Sequence, residues 1–167
     1  VNSAHIHLLT NHIPIIGAIF SLLLLIVAML IKDPKVIAIS LVFIVLTAIG
    51  SIPAYLSGEK AEDIVEKVAG ISEERIEAHE EAAEMAFIVM LATGGIALIT
   101  LAVGRTTPRR LRKLAWAPLL ALIISAVLMG RAANLGGMIH HPEIRDKGST
   151  QPLQKGSSRG EHEEKSD

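Results

Sequence analysis

The sequence predicts an all-α integral membrane protein, a four-helix bundle, and three observations carry that prediction. Four apolar runs without Lys, Arg, Asp or Glu recur along the 167 residues, each near the roughly 20 residues needed to cross a bilayer. Half of all residues are hydrophobic and the mean hydropathy is +0.46, high for a water-soluble domain of this size. Continuous apolar runs, rather than alternating ones, exclude a barrel, so helices must satisfy the backbone in the lipid.

The first span is residues 13–31, ending at Lys32-Asp33-Pro34. No basic stretch precedes it and it is too long for a leader's apolar core, so it reads as a mature span and not a cleavable signal. The second is residues 36–57, closed by Gly58, a residue suited to the left-handed position after a helix. The third is residues 85–104, and the fourth is residues 114–134, uncharged from Leu114 to Gly130 and continuing past Arg131 towards Ile139. Residues 1–145 thus form one transmembrane domain, while the Gly-, Ser-, Lys- and Glu-rich stretch 146–167 reads as a disordered tail. Between spans two and three, Ile64, Val65 and Val68 mark a short amphipathic helix beginning at Ala61. Ser72 then caps a helix that can run unbroken to Gly104, with Glu73 and Glu74 favourably placed in its first turn.

Charge sets the expected orientation. Lys32 and Lys35 follow span one, and Arg105, Arg109, Arg110, Arg112 and Lys113 follow span three, so these short connections belong in the cytoplasm. The connection from Glu59 to Glu84 is rich in acid, and residues 1–12 carry no Lys, Arg, Asp or Glu. Both termini and the acidic loop are therefore expected on the periplasmic side of a bacterial cytoplasmic (inner) membrane. Membrane lipid is the implied surrounding, and no nucleic-acid partner is expected.

That topology gathers chemistry at one end. Of the seven histidines, His162 lies in the tail; His5, His7, His12, His79, His140 and His141 all fall at outer ends of spans. His79, Ala83 and Phe87 share a helical stripe, with Glu80 and Glu84 beside it, and Gly130, Asn134, Gly137 and His141 share another. Such smooth faces, like Gly94-Gly95 in span three, serve close helix contact or make room for a flat cofactor. Pro14 is tolerated in a first turn but would kink a helix already under way, so whether His5 and His12 share a face depends on that residue.

With no cysteine in the chain, disulfides, thiolate metal sites and covalent c-type haem are excluded. Haem b, one group or two, needs only imidazole pairs, and His7, His12, His79 and His141 are the candidate ligands, with Arg131 for a propionate, Asn134 near the ring and Gly137 as space. The function expected is one-electron transfer at the periplasmic end, with quinone or other subunits of a membrane redox complex as partners. A non-haem transition metal held by the same histidines with Glu80 or Glu84 is the alternative, as is a structural subunit of a respiratory or photosynthetic complex. The zinc-protease spacing His-Glu-x-x-His fails at Ala83, and the deep parts of the spans hold no ionisable residue of the kind transport pathways use. Whether the chain catalyses a reaction is left open by these residues.

The segments around His5-Ile6-His7-Leu8-Leu9-Thr10-Asn11-His12, Pro53-Ala54-Tyr55-Leu56-Ser57-Gly58-Glu59, Ala78-His79-Glu80-Glu81 and Asn134-Leu135-Gly136-Gly137-Met138-Ile139-His140-His141-Pro142 together resemble an uncharacterised bacterial family of small four-helix membrane proteins. This domain of unknown function is sometimes joined to Rieske or cytochrome domains. The resemblance spans residues 4–144 and implies membrane redox chemistry, with His7, Asn11, His12, His79, Glu80, Asn134, Gly137 and His141 at the family's characteristic positions.

Overall fold

The computed structural model describes residues 3–65, 73–104 and 106–140. Within them the chain forms α1 (Ser3–Thr10), α2 (His12–Ile31), α3 (Pro34–Val65), α4 (Glu73–Gly104), α5 (Pro108–Leu114) and α6 (Trp116–His140), and no strand. Four stretches, His5–Ile31, Pro34–Ala61, Glu73–Gly104 and Pro108–Ile139, are long and apolar enough to cross a membrane. The expected four-helix bundle is what forms, with the bulky side chains of a multi-pass membrane protein turned outward: Leu30 is 73% exposed and Val127 68%.

Each break has a local cause. α1 gives way to α2 at Asn11 because Pro14 has no N–H and its ring would crowd the carbonyl of Thr10. At the other end of α2, Lys32 takes a left-handed conformation (φ 58°), and Asp33 Oδ1 accepts the Lys35 N–H at 2.8 Å, capping α3 with Pro34 at its first position. Thr107 caps α5 in the same way, accepting from Arg110 N at 3.3 Å ahead of Pro108. Pro118 then denies Leu114 an α-helical partner, and α5 and α6 meet at Ala115.

α4 runs unbroken from Glu73 to Gly104, as the sequence suggested, and at 1.5 Å per residue is about 48 Å long. Two expectations need correcting. Gly58 does not end the second span: it sits within α3, which continues to Val65. The separate amphipathic helix does not start at Ala61 either, since 61–65 belong to α3; its later residues, with Ser72, His141, His162 and the tail, lie outside the described residues.

The helices form a ring in the order α2, α3, α4, α6, with α1 laid on α3. The two hairpins, α1–α2–α3 and α4–α5–α6, match in register. Ser21 follows His7 at the same distance as Thr93 follows His79, and Ala18, Ser21, Leu25 and Ala28 are buried just as Met90, Thr93, Ala97 and Thr100 are. On the return helices, Leu41, Ile44, Thr47 and Ala54 correspond to Leu119, Leu122, Ser125 and Ala132, again all buried. Even the polar clasps agree: Ser21 and Thr47 hydroxyls lie 3.4 Å apart in one hairpin, Thr93 and Ser125 2.8 Å apart in the other. The bundle is thus two like hairpins related by an approximate twofold axis along its length.

Small residues let these helices approach. A Cβ on Gly94 would fall 2.5 Å from Ala48 Cβ, whereas one on Gly95 meets nothing within 4 Å. Gly94→Leu is therefore expected to destabilise the bundle by about 1–3 kcal/mol through overpacking. Gly95→Ala should leave stability within about 1 kcal/mol of the parent, or raise it. Unfolding titrations in mixed micelles check both.

Candidate cofactor-binding site

At the end of the bundle where α1 meets α3, a cavity of about 490 Å³ opens between the helices, within the usual span of small-molecule sites. Its wall is mostly apolar and small, with His7, Asn11, His12, His79, Glu59 and Glu80 among its polar members.

The two inner histidines are held alike. His7 Nδ1 lies 3.0 Å from the carbonyl oxygen of Ala54, and His79 Nδ1 lies 2.9 Å from that of Ala132. A carbonyl can only accept, so in both rings Nδ1 is the donor, which leaves Nε2 as the nitrogen a neutral imidazole would offer to a metal. Each ring also rests on a glycine one turn beyond its carbonyl partner. A Cβ on Gly58 would stand 3.1 Å from His7 Cε1, and one on Gly136 2.9 Å from His79 Cε1. His7 occupies the α1–α3 seam and His79 the α4–α6 seam, which face each other across the ring of helices.

The cavity lies on the twofold axis. Its wall pairs His7 with His79, Asn11 with Ala83, Ile15 with Phe87, Ala54 with Ala132, Tyr55 with Ala133 and Gly58 with Gly136. Where the pairing is imperfect, the differences carry information. Tyr55 stacks flat on Phe87, with centroids 4.3 Å apart and planes within 3°, and closes the α3–α4 seam. Asn11 also lines the cavity, and its Oδ1 is buried with no hydrogen-bond partner among the described residues.

Of the candidate residues named from sequence, His7, His12, His79 and Gly137 stand in the wall, His12 at an exposed position. The stripe His79, Ala83, Phe87 faces inward as a unit. Arg131 and Asn134 are exposed and stand outside the wall, as does Gly130. The inward face of α6 is instead Met129, Ala132, Ala133 and Gly136, one step around the helix from the face the glycine spacing suggested. Ala54, Ala132 and Gly136 went unnoticed in the sequence, because backbone carbonyls and absent side chains leave no chemical signature there. Among the described residues, no three His, Asp or Glu side chains converge as a metal-binding group. A bis-imidazole site asks for only two.

Fold and site together define a four-helix membrane bundle with a histidine-flanked cavity on its twofold axis. No protein-family model matches the chain, and no curated protein or solved structure matches it significantly.

Proposed function

We propose that this chain is a b-type haem protein of the bacterial cytoplasmic membrane that passes single electrons at its periplasmic end. One observation carries the reading: two imidazoles, each anchored through Nδ1, at twofold-equivalent positions on opposite walls of one apolar cavity. His7 and His79 would hold one haem between them, each offering an imidazole nitrogen to its iron. Bound haem would supply a reversible one-electron couple.

The residues around it have separable tasks. Ala54 and Ala132 carbonyls fix both ring orientations and make Nε2 more basic. Gly58 and Gly136 leave the rings room to stand upright against the helices. The Tyr55–Phe87 stack keeps lipid out of one side. Arg109, Arg110, Arg112 and Lys113, exposed on α5 at the opposite end, favour a cytoplasmic position for that end and hence a periplasmic one for the site. Quinone, or a subunit of a larger redox complex, is the natural electron partner.

The test is the visible spectrum of the purified chain, oxidised and then reduced with dithionite, after expression with haem supplied. A sharp Soret band with resolved α and β bands on reduction, at one haem per chain, is the expected result. A colourless preparation would overturn the reading.

A further inference from the structure

Two parts of the cavity wall are candidates for entry, and the twofold relation of the hairpins sets one of them against a closed equivalent. One is the polar mouth at the end of the bundle, where Leu8, Glu59 and Glu80 are exposed. The other lies in the seam between α2 and α6. On the opposite seam, Tyr55 and Phe87 close the wall by stacking; their equivalents here are Ala133 and Ile15. Ala133 lines the cavity and is exposed, so at that point of the wall only a methyl group stands where the opposite seam has the Tyr55 ring. Of the four seams around the ring, the one between α2 and α6 also brings the fewest described residues together. Pro14, Ile15, Met129 and Ala133 frame this gap, and none of them is charged.

We propose that the cavity is filled sideways from the bilayer, through the window at Ala133, by the planar lipid-soluble group it holds. The occupant rests on the haem reading; the route rests on the broken symmetry of the wall. On α2 the window lies within one turn of His12, at Pro14 and Ile15, the outer end of the uncharged run that begins at Ile13. An amphiphilic ring can slide in there with its carboxylate edge trailing at the interface. The mouth is a poorer route for the same molecule, because the carboxylates of Glu59 and Glu80 repel an anionic edge.

Haem-depleted protein reconstituted into liposomes that already contain haemin tests this by the rate at which the Soret band develops. Ala133→Trp fills the window and is expected to slow loading at least about tenfold, a steric effect of the size overpacking imposes. Leu8→Trp at the mouth should load at the parent rate. Because the chain has no cysteine, Ala133→Cys supplies a second arm in which the bulk is added only after the bundle has folded. A bulky maleimide attached to the introduced thiol after reconstitution should slow loading likewise, and prior loading with haem should protect that thiol from the reagent. Parent-rate loading in Ala133→Trp and in the maleimide adduct would overturn the lateral route, as would slowing by Leu8→Trp alone. If the unsubstituted protein takes up no haem at all, the haem reading itself falls, a result distinct from either of those.

Discussion

His79→Ala and His7→Ala are each expected to abolish the low-spin haem spectrum while the bundle stays folded. In either variant one of the two proposed ligand nitrogens is gone, and a small residue replaces a ring hydrogen-bonded to a helix carbonyl. Such a bond stabilises the fold by only about 1 kcal/mol, so helicity and detergent stability should survive its loss. The effect on the cofactor is far larger. Disturbing the partner that supports a ligand typically costs about 10–100-fold in affinity, and deleting the ligand must exceed that range. The twofold relation sharpens the expectation, since the two variants should resemble each other closely. His12→Ala is the control. His12 is exposed, and its equivalent on α4 is Glu84, so the axis does not pair it with a second imidazole. It should keep full haem content. Haem-to-protein ratios after purification decide the matter: retention in both His7→Ala and His79→Ala would remove them as ligands, and loss in His12→Ala would reassign the site.

The spans were legible because long uncharged runs have one physical solution in a bilayer, and the continuous α4 followed from the absence of any proline between Glu73 and Gly104. The convergence of His7 and His79 was legible too, once four crossings fixed which helix ends lie together. What could not be read was rotation. A helix that is apolar all round shows no preferred face in its composition, so the choice of inward residues on α6 fell on Gly130 and Asn134 when Ala132 and Gly136 are the ones that meet the histidine. Gly58 misled for a related reason. A missing side chain can mean freedom of the backbone, but at Gly58 it is space for an imidazole within an uninterrupted helix. The likeness of the two hairpins also escaped the sequence, because it lives in which positions are buried rather than in which residues occupy them. Ala18 corresponds to Met90 and Leu25 to Ala97, pairs that share a place in the core and little else.

Gly136→Leu should separate cofactor binding from folding in the opposite way, by moving a ligand that is still present. A Cβ alone would stand 2.9 Å from His79 Cε1 and 3.2 Å from Nδ1, closer than side chains tolerate. The rest of a leucine cannot share that space with the ring. His79 can yield only by swinging away, which breaks its 2.9 Å bond to the Ala132 carbonyl and carries Nε2 off the axis. If it stays, overpacking costs about 1–3 kcal/mol of stability. Either way haem affinity is expected to fall at least about 10-fold, the lower bound for a ligand that has lost its orienting partner. Gly58→Leu should do the same through His7, where the corresponding approach is 3.1 Å. Haem titration of the apo-proteins, followed at the Soret band alongside an unfolding curve, distinguishes the two ways of yielding. Parent-like affinity in Gly136→Leu would mean that His79 does not bear on the occupant. Weakened binding in Gly136→Leu and Gly58→Leu, with Gly95→Ala on α4 unaffected, would locate a requirement for bare backbone at the two histidine rings.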